Sequence, residues 1–150
     1  MKKFRFPLES VKTLRDLHAQ RAREAFTVEL RLLEQAEERL RRARERRRAL
    51  SDSIIATRSV PFHSGELAAG LTAYHLSVQA EADAAKVRGE TNSRLEQARE
   101  RWMECRRQLE MVHRLEHRAR LEHRADCDKM ESAELDEIGS MNLARASALS

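Results

Sequence analysis

The chain has 150 residues, of which 36% are charged and only 4% aromatic, with four Gly and two Pro. This composition is dominated by Ala, Glu, Leu and Arg, which is typical of long helices and excludes a layered core built on a sheet. The net charge of +4 conceals a gradient, because residues 116–150 carry five Arg or Lys against eight Asp or Glu.

No run of the sequence approaches the ~18 consecutive apolar residues that span a bilayer, and no apolar segment follows the N-terminal lysines. We therefore expect a cytosolic protein in which Cys105 and Cys127 stay reduced. The chain has no glycine-rich phosphate loop, and a helical rod offers no concave cleft. We predict that it is not an enzyme and that it holds no cofactor, metal or small-molecule substrate.

The first predicted helix covers about residues 8–57. An extended lead-in over residues 1–7 precedes it, since Pro7 disfavours helix at Phe6 and suits a first helical turn. Apolar residues then recur at steps of three and four along one helical face, with an eleven-residue period before Leu33 and a heptad after it. This first stripe consists of Leu8, Val11, Leu14, His18, Ala22, Ala25, Glu29, Leu33, Ala36, Leu40, Ala43, Arg47, Leu50 and Ile54.

The second predicted helix follows a turn at about 58–64, where Pro61 interrupts the pattern and Ser64 is a suitable N-cap. This helix should cover about 65–138, where a Gly–Ser pair stops it, and a tail follows at 139–150. Its stripe consists of Leu67, Leu71, Tyr74, Val78, Glu81, Ala85, Arg88, Asn92, Leu95, Ala98, Trp102, Cys105, Leu109 and Val112.

The two stripes are mirror images about position 60. Ile54 pairs with Leu67 and Leu8 pairs with Val112, so the residue numbers of each pair add up to nearly the same total. This is what an antiparallel hairpin requires. We predict an all-α fold, in which an antiparallel two-helix coiled-coil hairpin forms one domain over residues 1–150. Its second helix is longer and overhangs beyond about position 113.

Two features of the predicted seam bear on the register. Trp102 is expected to face His18 and Ala22, because a large ring packs well against small neighbours. Glu29 and Asn92 are expected to form a polar layer, which either fixes the register or serves as a hinge. The overhanging helix is acidic and patterned with apolar residues, so we expect it to bind a partner.

The residues leave some alternatives open. His113 and His117 are one helical turn apart, as are His123 and Cys127, but the two pairs cannot converge on one zinc ion in a straight helix. Seven arginines in the ten positions 39–48 could contact phosphates, although such arginines more often pair with Glu at i±4. A generic coiled-coil scaffold and a basic nucleic-acid-binding rod are therefore alternative functions.

Two short stretches, FRFPL at 4–8 and ELDE at 134–137, resemble the FliJ family of flagellar export proteins. The segment FHSGELAAGLTAYHLSV at 62–78 also looks like the start of the second helix in that family, which is related to the YscO proteins of virulence secretion. The resemblance extends to the whole chain in architecture. It implies a monomeric, non-enzymatic stalk and escort protein that acts in the cytoplasm, at the inner face of the membrane at the flagellar base.

The partners that the resemblance implies are the hexameric export ATPase, the cytoplasmic domain of the membrane export gate, and export chaperones. The terminal segments would engage the ATPase, and the surface around helix one and the start of helix two would face the gate or chaperones. The implied ATPase-docking residues are Phe4, Phe6, Leu8, Val11, Leu121, Met130, Leu135, Asp136, Glu137 and Ile138. The implied gate- and chaperone-docking residues are Leu40, Ala43, Tyr74 and Val78.

Overall fold

Two α-helices make up the fold: α1 over Glu9–Arg58 and α2 over Ser64–Ala148. The computed structural model describes residues 3–61 and 63–149, and within these ranges it contains no strand. The helices pack against each other, which confirms the predicted all-α hairpin. Neither helix, over its described residues, has a stretch long and apolar enough to cross a bilayer. Four residues of the predicted lead-in, turn and tail lie outside the described residues: Met1, Lys2, Phe62 and Ser150.

Helix α1 begins just after the turn at Pro7. The backbone N–H of Glu9 donates to the carbonyl of Phe6 at 3.3 Å, which turns the extended lead-in toward the helix. At the other end, the hydroxyl of Ser59 donates to the carbonyl of Ala56 at 2.7 Å and satisfies an acceptor that the helix leaves open. Helix α1 therefore begins directly after a proline that suits a first helical turn, and it ends where a serine hydroxyl satisfies a terminal carbonyl.

Helix α2 differs from the prediction at both ends. The backbone N–H groups of Glu66 and Leu67 both donate to the carbonyl of His63, so His63, and not Ser64, precedes the helix as its cap. The helix then continues through Gly139 instead of stopping near residue 138. No glycine has a positive φ, so the left-handed conformation that ends many helices at glycine is absent from the described residues.

The chain divides into two compact units. The terminal unit comprises Met1–Ala19 and Cys105–Ser150, and the turn unit comprises Gln20–Glu104. Each unit contains one segment of α1 and one segment of α2. The candidate docking residues are distributed between them, so each unit is described by itself.

In the turn unit, the seam between the helices follows alternating steps of three and four residues, except that the α2 position between Ala84 and Thr91 is the exposed Arg88. This is the heptad spacing of a left-handed coiled coil. The buried or half-buried seam residues of α1 are Ala22, Phe26, Glu29, Leu33, Ala36, Leu40, Ala43, Arg47, Leu50, Ile54 and Thr57. Those of α2 are Leu67, Gly70, Tyr74, Ser77, Glu81, Ala84, Thr91, Leu95, Ala98 and Trp102.

Small residues of α2 occupy seam positions that the sequence assigned to their larger neighbours. Gly70 and Ser77 face the seam, while Leu71 and Val78 are exposed. A Cβ atom on Gly70 would lie 3.7 Å from Cγ1 of Ile54, so the two helices approach closely there. The row of Gly70 and Ser77 and the row of Leu71 and Val78 are neighbours on the helix surface and have the same spacing. Apolar periodicity therefore cannot tell which of the two rows faces α1. Large α1 side chains pack best against small ones on the facing helix, which selects the small row.

The register within the turn unit also differs from the prediction. Ile54 lies against Gly70 instead of Leu67, and Trp102 stacks on Phe26, with ring centroids 5.3 Å apart and an interplanar angle of 25°. The predicted contact of Trp102 with His18 and Ala22 is thus replaced, and α2 is displaced by about one helical turn. Two stacked aromatic rings bury more apolar surface than a ring packed on alanine, which favours the observed register.

The polar layer near the middle of the turn unit is present with different partners. Arg94 Nε lies 3.8 Å from the Glu29 carboxylate, and Asn92 is only half-buried. Thr91 is 2% exposed, and its hydroxyl donates to the carbonyl of Val87 at 2.8 Å. Threonine satisfies its own hydroxyl within the helix, so it can occupy a seam position without a partner on α1.

Candidate docking site in the terminal unit

The N-terminal arm, residues 3–8, packs against α2. Phe6 is buried, with 7% of its surface exposed. The ring of Phe4 meets the ring of His123 edge to face, with centroids 5.4 Å apart, and the guanidinium carbon of Arg120 lies 5.3 Å from the Phe4 centroid. A cation over an aromatic face and an edge-on ring are both favourable geometries. The arm is therefore held by specific contacts along one turn of α2.

A buried carboxylate lies beside the arm. Glu116 is 7% exposed, and its two oxygens accept from Lys12 Nζ at 2.8 Å and from Arg120 Nη2 at 2.6 Å. Hydrogen bonds from Lys12 and then from Arg120 lower the pKa of Glu116 to about 2, and the bond to Glu116 raises the pKa of Lys12. Nearby, Arg15 donates to Gln108 at 2.5 Å. The pairs Lys12–Glu116 and Arg15–Gln108 therefore lie in the seam, where the sequence analysis predicted apolar residues.

Because polar residues occupy the seam, apolar residues in and just before the first turns of α1 lie on the surface of the terminal unit. The seam there uses Lys12, Arg15 and Ala19, which continue the alternating heptad steps of the helix, so the predicted eleven-residue period does not operate. Leu8, Val11 and Leu14 were predicted to be buried but are between 37% and 50% exposed, and Leu17, which is not part of the predicted stripe, is 40% exposed. This apolar row consists of Leu8, Val11, Leu14 and Leu17.

The last part of α2 is exposed throughout. Every residue from Asp128 to Leu149 is exposed, although this segment is helical up to Ala148. Because contacts of the arm reach His123, the exposed extension begins about fifteen residues later than the predicted overhang. An amphipathic helix in water is stabilised mainly by packing of its apolar side. The large apolar side chains of the extension are Met130, Leu135, Ile138, Met141, Leu143 and Leu149.

The implied ATPase-docking residues fall into two groups. Phe4 and Phe6 pack in the arm, so they are not free surface residues. The remaining residues are exposed in the apolar row or along α2, and the structure does not bring the two sets together through a described contact. These exposed candidates are Leu8, Val11, Leu121, Met130, Leu135, Asp136, Glu137 and Ile138.

The implied gate- and chaperone-docking residues lie in the turn unit with unequal exposure. Leu40 is buried in the seam, and Ala43 and Tyr74 are half-buried there. Val78 is 41% exposed and is the only exposed member of this group. Arg47, beside Tyr74 in the seam, donates to the carboxylate of Glu81, which raises the pKa of Arg47.

The sequence analysis missed the cluster of Lys12, Glu116 and Arg120. Glu116 and Arg120 are four residues apart, which is a recognisable helical ion pair. The sequence gives no such sign for Lys12, because its pairing depends on the register between the helices. A prediction of the seam from apolar periodicity does not select any of these three residues, since it assumes that seam positions are apolar.

Two of the four histidine and cysteine positions that lie one helical turn apart are in contact with each other. His123 packs against Phe4, and Cys127 Sγ lies 3.8 Å from the His123 ring nitrogen. Within residues 3–61 and 63–149, no three His, Cys, Asp or Glu side chains are close enough to hold a metal ion.

Comparison with known protein families identifies the family to which the chain belongs. The family model described as "Flagellar FliJ protein" matches residues 4–148, which is nearly the entire chain and includes the arm and the helical extension of α2. No curated protein and no solved structure matches the chain. FliJ proteins are non-enzymatic components of flagellar protein export. The chain therefore belongs to the flagellar FliJ family and is a component of the flagellar export apparatus.

Proposed function

We propose that this chain is the stalk and escort protein of the flagellar export apparatus. It docks through its terminal unit onto the hexameric export ATPase, and through its turn unit onto the cytoplasmic domain of the export gate and onto export chaperones. It acts as a monomer in the cytoplasm, at the inner face of the membrane at the flagellar base. It promotes export without chemistry of its own.

The observation that carries the proposal is the exposure of α2 beyond Asp128. Met130 and Leu135 are 69% and 68% exposed, and a free helix gains nothing from such side chains in water. A partner that covers them recovers the free energy of apolar burial, about 25 cal/mol per Å². The acidic residues Asp136 and Glu137 beside them favour a basic or polar rim on that partner.

The apolar row supports the same assignment from α1. Leu14 is 50% exposed and Leu17 is 40% exposed, and both belong to the terminal unit. Exposed apolar residues scattered singly are common, but Leu14 lies three residues from both Val11 and Leu17, so each pair is adjacent on the helix surface and can contact a partner together. The terminal unit therefore offers apolar contacts on both of its helices.

The direct test is stimulation of ATP hydrolysis by the cognate export ATPase. The triple variant Met130→Ser, Leu135→Ser, Ile138→Ser removes the large side chains at the middle of the extension. We expect it to lose most of the stimulation, because each deleted side chain removes ~1–2 kcal/mol of burial at the contact. Circular dichroism checks that the helical content is kept.

A control variant removes three exposed apolar side chains from the turn unit. The triple variant Val28→Ser, Leu76→Ser, Val87→Ser carries the same type of change at sites that are 53%, 67% and 42% exposed. It should stimulate the ATPase like the wild type. Equal loss in both triple variants, or full stimulation by the extension variant, would contradict docking through the terminal unit.

The gate and chaperone contact is tested separately at Val78. The variant Val78→Asp places a charge on the exposed flank of α2 and should weaken pull-down of the gate domain or chaperones. Leu76→Asp, at a more exposed site two residues away on another side of α2, is the control. If both variants bind the gate and chaperones as the wild type does, this part of the assignment is wrong.

A further inference from the structure

We infer that one face of the turn unit binds directly to the surface of a bilayer rich in anionic lipids. This contact does not depend on the protein partners of the proposed function, although it shares Val78 with the gate and chaperone surface, so the two contacts alternate at that residue. The face, called the arginine face below, consists of Arg41, Arg44, Arg48, Ile55 and Arg58 on α1 and of Leu71 and Val78 on α2.

The arginines lie on one side of α1. Steps of three and four residues from Arg41 to Arg44 to Arg48 keep the three side chains on the same side of a helix. Arg44 Nε lies 3.6 Å from Glu81 Oε1, which places this side next to the flank of α2 that carries Glu81. Arg88 of α2 lines the same groove as these three arginines, and so do Glu37 and Glu45, which leaves the groove with more positive than negative groups.

Apolar side chains continue the face on α2. Val78 precedes Glu81 by three residues and therefore lies beside it on the helix surface. Leu71 precedes Val78 by seven residues, which returns to the same side after two turns. Leu71 is 38% exposed, and Ile55, seven residues after Arg48 on α1, is 64% exposed. Basic and apolar groups are thus interleaved on one surface.

Among its described residues, helix α2 supplies only one carboxylate, that of Glu81, in contact with the arginines of this face. Residues 67–80 of α2 contain no Asp, Glu, Lys or Arg. The guanidinium groups of Arg48 and Arg58 make no ion pair or hydrogen bond with any described residue. Arg44 has only the long contact with Glu81, while Arg41 is paired with Glu38 and Glu45. The guanidinium groups of Arg48 and Arg58, and in part that of Arg44, are therefore available for phosphate groups outside the chain.

The arrangement suits a bilayer surface better than a compact anion. The arginines are spread over seventeen residues from Arg41 to Arg58, or about 25 Å of helix, instead of converging on one point. Arginine heads at the level of lipid phosphates with short apolar side chains between them form the pattern of a helix that lies in a membrane interface. Anionic lipids supply the complementary charge over such a length.

The test measures partitioning of the purified chain onto vesicles of phosphatidylglycerol and phosphatidylcholine in equal parts, by co-sedimentation. The triple variant Arg41→Gln, Arg44→Gln, Arg48→Gln should bind roughly 100-fold more weakly, since each arginine near an anionic surface strengthens binding about fivefold. The matched variant Arg39→Gln, Arg42→Gln, Arg46→Gln removes the same charge from another side of the same segment. It should lose less than about fivefold, with circular dichroism checking that both variants keep their helical content.

Three outcomes would overturn the inference. Equal losses in the two triple variants would mean that only net charge matters. Equal binding of the wild type to pure phosphatidylcholine vesicles would remove the role of anionic lipid. Failure to bind the anionic vesicles, with binding to poly-glutamate instead, would assign the arginine face to an acidic protein. The assay contains no ATPase, so its result is independent of the proposed docking of the terminal unit.

Discussion

Lys12 Nζ lies 2.8 Å from Glu116 Oε2, and this ion pair joins the first turns of α1 to α2 within the terminal unit. Both residues occupy seam positions, where apolar side chains normally pack. Arg120 completes the pairing of the carboxylate from the same helix. A buried polar group that needs one particular partner disfavours other registers, because a shifted register leaves the charge unpaired. We infer that this pair sets the register of the terminal unit.

The variant Glu116→Gln should lower stability in a pH-dependent way. The folded-state pKa of Glu116 is about 2, below its ordinary value of 4.5, because Lys12 and Arg120 donate to the ionised carboxylate. The stabilisation is therefore complete above about pH 5 and is lost as the pH falls from 4.5 through 2. Urea unfolding at several pH values should give a wild-type advantage at neutral pH that disappears in acid.

The control for this titration is Glu122→Gln. Glu122 pairs with Arg118 at 3.1 Å, but both side chains are well exposed, at 66% and 78%. Exposed pairs of this kind contribute ~0–1 kcal/mol, so this variant should differ little from the wild type at any pH. A constant difference between Glu116→Gln and the wild type from neutral pH to pH 2 would refute the assigned ionisation.

The stack of Phe26 on Trp102 should be visible in fluorescence, since Trp102 is the only tryptophan of the chain. We expect Phe26→Ala to shift the Trp102 emission to the red and to lower the free energy of unfolding by roughly 2–3 kcal/mol, somewhat less than for a fully buried ring. Val28→Ala, at an exposed site of the same helix, should change neither quantity. An unchanged emission in Phe26→Ala would rule out the observed register of the turn unit.

Replacement of Glu29 by leucine should stabilise the turn unit. Glu29 Oε2 is buried and accepts no hydrogen bond from the described residues, and its closest cation, Arg94, is 3.8 Å away. An unsatisfied buried oxygen costs about 1–3 kcal/mol, which leucine avoids while it fills the seam. We expect a gain of about 1–2 kcal/mol in urea unfolding. The exposed substitution Glu34→Leu should stay within about 0.5 kcal/mol, and a loss of stability in Glu29→Leu would show that the carboxylate is needed.

Helix continuity at Gly139 predicts opposite effects of alanine and proline. A Cβ atom on Gly139 would meet no atom within 4 Å, and its φ is not positive, so alanine fits and should favour the helix by about 1 kcal/mol. Proline removes a backbone hydrogen bond and costs about 3 kcal/mol. Amide exchange of residues 140–146 should slow in Gly139→Ala and accelerate in Gly139→Pro. Equal exchange in both variants would mean that α2 ends before Gly139.

The periodicity of the sequence was sufficient to predict the class of fold and one half of the seam. From Leu33 to Ile54 on α1, the apolar stripe and the observed seam coincide, because a run of strict heptads leaves one apolar face. On α2 the prediction chose Leu71 and Val78 instead of Gly70 and Ser77, because a stripe search prefers larger apolar residues. Ile54 packs against Gly70, and this choice is set by the side chain on the opposite helix, which the periodicity of α2 alone does not contain.

The candidate docking residues were predictable only in part. Exposed residues near the C-terminus, such as Met130 and Leu135, follow from the lack of a facing segment on a shorter first helix. The sequence left open whether Phe4 and Phe6 are free or packed. In the structure Phe4 contacts Arg120 and His123, and Phe6 is buried. The arginine face was visible in the sequence as a basic run, but its apolar neighbours on α2 became apparent only from the contact of Arg44 with Glu81.

The amino-acid order alone determined that this chain forms two long helices joined near Pro61, because helical periodicity, proline and the scarcity of glycine act over a few residues at a time. Tertiary structure decided the register, the small seam residues of α2 and the pairing of Lys12 with Glu116. These depend on which side chains meet across the two helices. Sliding one helix by a turn changes every such contact while it leaves the local pattern of each helix unaltered.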